Sequence, residues 1–248
     1  MATTQPQYKT ITSPLGSAMW TKLDAPEMSF ALKEKDIWKQ GGYYEVIIRI
    51  NGEDSVDLRN LITEAYDAAV NQSCNEYLAE YVEKKPAQKG KFKDLRQFMA
   101  DKQPGVNINA LPFKQLEDES GELIDLYEFK FKQWARGSKD GEHWDIAPRV
   151  VGPDGKAYDV VPCVGHGSIL RAQFQLKGYG MKNEKTGNRA PSIGLSTPMV
   201  ASQIWELNEF KRGGGGFDDA SFDANPDAPA LAAVAANPFD DSGENIPF

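Results

Sequence analysis

Residues 126–135, LYEFKFKQWA, alternate in polarity along their whole length, a pattern that suits a half-buried β-strand and no helix. Tyr127, Phe129 and Phe131 fall in one phase, while Glu128, Lys130, Lys132 and Trp134 fall in the other. A strand with a continuous aromatic side must find an apolar layer to cover it. This segment therefore commits the chain to a β-rich core.

Several other segments read the same way. Residues 43–50, YYEVIIRI, are rich in β-branched and aromatic side chains and lie between Gly41-Gly42 and Asn51-Gly52, which predicts a strand. Residues 18–23 predict an earlier strand. Residues 168–179 predict another, with Leu170, Ala172, Phe174 and Leu176 inward and Arg171, Gln173, Gln175, Lys177 and Tyr179 outward. Residues 149–151 and 157–161 flank Pro153-Asp154-Gly155 as a hairpin. A last strand covers residues 192–200 or continues to 207.

Only one region changes period. Leu58, Leu61, Ile62, Ala65, Ala69 and Val70 recur at spacings of three and four, predicting a helix over 56–81 capped by Asp54 or Ser55. Residues 83–105 are Lys-rich and broken by Pro86, Gly90, Pro104 and Gly105, which predicts a long excursion with a short helical turn near 95–99. Many strands, one helix and long loops fit a mainly β chain: a five-stranded OB-fold barrel with one inserted long helix and extended loops. Pattern alone leaves other small Greek-key barrels open.

The 36 residues that follow Arg212 are of another kind. They start at Gly213-Gly214-Gly215-Gly216, carry seven acidic residues and no Lys or Arg, and end in Asp240-Asp241-Ser242-Gly243-Glu244-Asn245-Ile246-Pro247-Phe248. Low complexity between Ala228 and Ala236, with Pro229 and Pro238, predicts a disordered acidic tail. The division is thus a folded domain over 1–212 and a Gly linker and tail over 213–248. It also divides the charge: of the net −8, the tail supplies −7, leaving −1 on a body with 28 basic and 29 acidic residues.

Candidates for catalysis are scarce. The two histidines, His143 and His166, have no metal-ligand spacing, and Cys163 with His166 is a pair without a cluster. There is no phosphate-binding GxxxxGK[ST] loop and no GxSxG elbow. Asp54, Asp57 and Glu64 read as charges near a helix N-terminus, and Asp154 and Asp159 as hairpin residues. Gly165-His166-Gly167-Ser168 reads as a turn. Cys74 and Cys163 read as free thiols of a reducing compartment. No leader or membrane-spanning stretch is expected, which places the chain among soluble intracellular proteins. No metal or cofactor is expected.

Candidates for binding are better defined. Lys130, Lys132 and Trp134 share one polar strand face, and Arg171, Lys177 and Tyr179 share another. Cations interleaved with rings suit a single-stranded nucleic acid: the cations neutralise phosphates and the rings stack on unpaired bases. Polar strand faces also carry Lys for solubility alone, and Trp134 is core if its strand is covered on both sides. The residues by themselves leave both readings open. Lys84, Lys85, Lys89, Lys91, Lys93 and Arg96 form either a solvated loop or an arm that grips phosphates. Asp240, Asp241 and Glu244 beside Ile246, Pro247 and Phe248 offer charge and an apolar anchor to a basic-rimmed partner pocket.

Taken in order, these segments resemble the single-stranded DNA-binding replication proteins of short-tailed (podovirus) bacteriophages. Thr12-Ser13-Pro14-Leu15-Gly16-Ser17-Ala18 is similar to that family's TSxLGxA segment, and residues 42–50 to its first long strand. Glu64-Ala65-Tyr66-Asp67-Ala68-Ala69-Val70 is similar to its EAYxAAV helix. Phe129-Lys130-Phe131-Lys132 with Trp134 resembles its FKFKxY strand. Asp159-Val160-Val161-Pro162 and residues 165–170 resemble its DVPxxGxGSxL segment, and Gly213-Gly214-Gly215 precedes a similar acidic tail with a terminal Phe. The tail tip also resembles that of bacterial single-stranded DNA-binding proteins, which docks replication and repair partners.

The resemblance implies an OB-fold, non-enzymatic and sequence-independent binding of single-stranded DNA in replication, recombination and repair, and action in the cytoplasm of an infected bacterium. It implies a tail that contacts the phage DNA polymerase and helicase-primase, with host replication proteins as further partners, and a homodimer formed through that tail. It places Tyr179 on a base-stacking position and Lys130, Lys132 and Arg171 on basic positions of the binding face, with Trp134 replacing a tyrosine. Gln173 and Gly41 stand where the family can carry Lys and Arg, and the aromatic after Tyr179 is missing at Gly180-Met181, so a weaker or shifted footprint is expected. The rival expectation is a scaffold protein that binds no DNA and acts through its tail alone.

Overall fold

A computed structural model describes residues 9–28, 41–103, 105–139, 141–180, 182, 187 and 191–209. The tail residues Asp240, Asp241, Glu244, Ile246, Pro247 and Phe248, and the expected disorder of 213–248, lie outside the described residues. In chain order the strands are β1 (Thr10–Thr12), β2 (Gly16–Glu27), β3 (Tyr43–Asn51), β4 (Asn107–Ile108), β5 (Phe113–Glu117), β6 (Leu123–Trp134) and β7 (Arg136–Lys139). They continue with β8 (Glu142–Asp145), β9 (Arg149–Val151), β10 (Ile169–Gln175), β11 (Lys177–Tyr179), β12 (Ser192–Ser196) and β13 (Met199–Glu206). Helices α1 (Gly52–Lys84) and α2 (Leu95–Lys102) lie between β3 and β4.

The main sheet runs β5-β6-β3-β2-β10-β13-β9, with β1 added on β10. Its middle five strands, β6-β3-β2-β10-β13, form the barrel. Their inward phases supply the core: Val46, Ile48 and Ile50 from β3; Phe129 and Phe131 from β6; Leu170, Ala172 and Phe174 from β10; Met199 and Ile204 from β13. Phe131 and Phe174 meet across the interior with ring centroids 4.7 Å apart. β2 reaches from β10 to the far end of β3 by way of register shifts after Ala18 and after Lys22, which bend a long strand around the barrel.

The barrel does not close by a continuous ladder. Between β13 and β6 there is a single parallel bridge, Lys132 to Pro198. The Lys132 N–H donates to the Thr197 carbonyl at 3.4 Å, and the Thr197 hydroxyl donates to the Lys130 carbonyl at 2.8 Å. Five strands in the order 3-2-1-4-5 with a partly open seam between the third and fifth are the OB arrangement. The expected barrel is thus present with its seam open, and further strands flank it.

Helix α1 follows β3 without a loop. It begins at Gly52, where a Cβ would come within 1.6 Å of the Asp125 carboxylate. Its cap is Asn51, which makes no side-chain cap bond. Neither Asp54 nor Ser55 caps it: Ser55 is buried inside the first turn and donates to the Gly52 carbonyl at 3.1 Å. The buried stripe Leu58, Ile62, Tyr66, Val70, Cys74 and Tyr77 keeps the predicted spacing. It rests on the barrel and on a second sheet, β11-β12-β4. Both cysteines are unpaired and Cys74 is buried.

Three local expectations are corrected. The Lys-rich excursion expected over 83–105 has its short helical turn, which is α2, but it is tied down by packing. Helix α1 continues to Lys84, Asp94 caps α2 by accepting from the Arg96 and Gln97 amides, and Tyr81, Phe92 and Phe98 pack edge-on. The 149–161 hairpin keeps its turn, with the Gly152 N–H donating to the Lys156 carbonyl at 2.9 Å and the Tyr158 N–H to the Val150 carbonyl at 3.1 Å, but its second arm makes only the Val151–Ala157 bridge and no strand, and β9 also pairs in parallel with distant β13. The strand expected over 168–179 breaks at Leu176, so Arg171 on β10 and Lys177 and Tyr179 on β11 belong to different sheets.

Candidate nucleic-acid interface

Cross-strand register assembles the site on the outer face of β2, β3 and β6. Because side chains alternate along a strand, Tyr43, Glu45, Ile47 and Arg49 all point away from the core. Antiparallel pairing sets them opposite Trp134, Lys132, Lys130 and Glu128 respectively. On the other side of β3, Lys22 faces Glu45 and Trp20 faces Ile47. Rings and cations from three strands therefore share one surface, and Trp20 is 51% exposed on it.

Lys132 is the centre of this surface. Its Nζ lies 3.4 Å from the centroid of the Tyr43 ring and 4.5 Å from that of Trp134. The two rings meet edge to face at 5.9 Å and 75°. An ammonium held against two π-faces has little freedom left to lose on binding, and cation–π contact favours that placement. Burial, then the charges of Glu45 and Glu27, raise the Tyr43 hydroxyl above its ordinary range, so the ring stays a neutral phenol.

Glu45 lies under this face and is only 4% exposed. Its Oε2 forms an ion pair with Lys130 Nζ at 2.6 Å, and no other group satisfies that oxygen. Lys22 and Lys132 flank it in register. The carboxylate thus serves as an internal anion for the surrounding ammonium groups. Glu128 does the same nearby, pairing with Arg49 at 3.3 Å and Lys114 at 3.1 Å.

β11 and β12 border the end of β6 that β5 does not reach. Lys177 and Trp134 line one cavity of about 360 Å³, together with Arg136, Gly137, Ser196 and Pro198. Tyr179 stands two residues further along. Its hydroxyl accepts from Asn109 Nδ2 at 2.6 Å, and the Asn109 carbonyl accepts from the Tyr66 hydroxyl at 2.7 Å. Residues 110–112 then lead to Lys130, whose N–H donates to the Pro112 carbonyl at 3.3 Å. Gly180 has φ +100°, and a Cβ there would come within 2.1 Å of Ile193. A side chain has no room at that position.

Of the six body residues singled out in the sequence, Lys130, Lys132, Trp134 and Lys177 gather along β6 and its border, while Tyr179 lies further along β11, opposite Gly194 and bonded to Asn109. Arg171 stands elsewhere, with Nε donating to Gln203 at 2.9 Å in a separate cavity of about 320 Å³ that also holds Arg149 and Gln173. Tyr43, Glu45, Lys22 and Trp20 were missed. YYEVIIRI reads as a strand, but only the register shows that Tyr43 and Glu45 face Trp134 and Lys132. Among the described residues no cluster of His, Cys, Asp or Glu could hold a metal ion, and no helix is long and apolar enough to cross a membrane.

An open five-stranded barrel with rings and lysines on an outer sheet face is a nucleic-acid-binding architecture. A family model described as single-stranded DNA-binding protein, bacteriophage T7, matches residues 20–191, and the chain belongs to that family. Its fold is similar to that of gp2.5, a single-stranded DNA-binding protein encoded by bacteriophage T7, with a TM-score of 0.54 and 21% identity over 83% of this chain and 96% of that one. Weaker likenesses are to the single-stranded DNA-binding protein of bacteriophage Enc34, at TM-score 0.41 and 10% identity over 85% and 89% of the two chains. The same protein in complex with single-stranded DNA gives 0.40 and 10% over 81% and 88%. No curated protein matches the chain.

Proposed function

We propose that this member of the phage single-stranded DNA-binding family holds its strand across the outer face of β3 and β6, without reading sequence and without catalysis. Lys130, Lys132 and Lys177 take phosphates; Tyr43, Trp134 and Tyr179 offer rings to unpaired bases. The observation that carries this reading is Lys132 wedged between two rings on a surface face, since alternating charge and ring is what an unpaired strand presents in return. Arg171, bound to Gln203 in its own cavity, is left out of the path.

Glu45 tunes the affinity. A phosphate that reaches Lys130 must displace this carboxylate, so Glu45→Gln frees one cation for DNA. The expected result is tighter binding, with the plot of log K against log salt steeper by about 0.7, the increment for one phosphate contact on a single strand. A slope equal to that of the parent protein would show that Lys130 already bonds phosphate in full.

The tail completes the proposal. Asp240, Asp241 and Glu244 compete with phosphates for the same lysines, and Ile246-Pro247-Phe248 docks the phage DNA polymerase and helicase-primase, or host replication proteins, and supports a homodimer. The site of action is the cytoplasm of the infected bacterium. Gel-shift titrations of the full chain and of residues 1–212, on single- and double-stranded oligonucleotides at several salt concentrations, test this. Removal of residues 213–248 is expected to tighten single-strand binding several-fold and to abolish polymerase capture. Equal affinity at matched salt would end the competition model, and a full chain that binds no single strand would end the whole reading.

A further inference from the structure

Beside β5 the outer face holds a cavity of about 430 Å³, beyond Lys130 and outside the row of rings on β3 and β6. Its lining follows from register. Lys130 stands opposite Ile47, and in the next row Glu128 stands between Arg49 on β3 and Lys114 on β5. These side chains share the outward phase of their strands. Phe113 belongs to the other phase and packs its ring against buried Phe129, with centroids 5.3 Å apart. Residues 110–112 pass beside Lys130 and bring Leu111 and Pro112 to the cavity. Its apolar ground is thus aliphatic: Ile47, Leu111 and Pro112.

The charges sit on either side of that ground. The row of Glu45 lies on one side of Ile47 and the row of Glu128 on the other, each about 7 Å away at two residues of strand rise. Lys130 Nζ is drawn to Glu45 at 2.6 Å, and Lys114 Nζ to Glu128 at 3.1 Å. The two ammonium groups are thereby pulled apart, and the apolar row between them stays open. Both lysine side chains remain more than half exposed, at 53% and 66%, so neither is sealed by its carboxylate. A planar base packs well on apolar side chains, and a base within a strand has a phosphate on each side. Cations that flank apolar ground match that arrangement. The Phe248 ring, the other candidate on this chain, brings one adjoining α-carboxylate and matches only one of them.

We propose that this cavity is a base-binding slot. It takes one unpaired base of the bound strand on Ile47, Leu111 and Pro112, with the flanking phosphates on Lys130 and Lys114. This inference rests on the DNA path of the previous section and extends it past Lys130 to β5.

Affinity of the full chain for an oligothymidine, and for an abasic oligomer of the same length that keeps only the sugar-phosphate backbone, tests the proposal. Ile47→Gln makes the floor of the slot polar. It is expected to weaken oligothymidine binding about 5-fold or more and to leave the abasic oligomer unaffected. Ile47→Val, which keeps an apolar floor, is expected to recover most of the loss. Lys114→Gln is expected to weaken both oligomers and to make the slope of log K against log salt shallower by about 0.7. Oligothymidine binding by Ile47→Gln that equals the parent's would overturn the proposal, as would an equal loss on both oligomers. Tighter binding by Ile47→Gln would also overturn it and give the slot to Phe248. Failure of the underlying path looks different: Lys132→Gln, outside the slot, would then leave the affinity for both oligomers unchanged.

Discussion

Replacing Tyr43 and Trp134 together by Ala is expected to weaken single-stranded DNA binding by at least about 30-fold, because each ring that stacks on a base is worth roughly 1–3 kcal/mol. Both side chains are half-buried on the outer face rather than in the core, so the melting temperature should change little. The pair has a second effect. Lys132 loses both of the rings that hold it, and its ammonium regains conformational freedom that binding must then remove. Fluorescence anisotropy with a labelled oligonucleotide measures the loss. A double variant that binds like the parent would remove this row from the site and leave the cations alone responsible.

Phe131→Ala is expected to cost about 3–5 kcal/mol of stability, the range for deleting a buried aromatic ring. Phe131 is fully buried and packs on Phe174 across the barrel. Its neighbours Phe129, Leu170 and Ile48 are equally inaccessible, each on a hydrogen-bonded strand, so the cavity cannot collapse easily. A loss of that size is a large share of the stability of an ordinary domain. Denaturant titration followed by far-UV circular dichroism reads it as an earlier midpoint. An unchanged midpoint would mean that the two aromatic layers do not share one core. Lys130 and Lys132 stand on the opposite face of the same strand, so DNA binding by this variant is informative only well below its unfolding transition.

The sequence was most legible where one strand face meets the core. Alternation over 126–135 separated Phe129 and Phe131 from Lys130, Lys132 and Trp134, and the structure buries the first group while leaving the second on the surface. The period of α1 was equally plain, but its start was not. The chain turns straight from β3 into the helix at a glycine packed on Asp125, with no side-chain cap to mark the boundary.

Pairing between distant segments left no local signal. The parallel partnership of β9 with β13 joins segments that no local pattern relates. The break at Leu176 separated Arg171 from Lys177 because each half of that run found a different sheet. The Tyr43–Trp134 contact depends on residues 91 positions apart, the difference of their numbers. The alternation in each strand places a ring outward; only the register makes the two rings neighbours. Family motifs located the cationic strand but not Lys114, which lies outside every quoted segment.

Pro198 sits where β13 would otherwise zip onto β6, and it has no N–H to give. Held by one bridge and the Thr197 hydroxyl, the seam beside Lys132 is the joint at which the barrel wall opens at least cost.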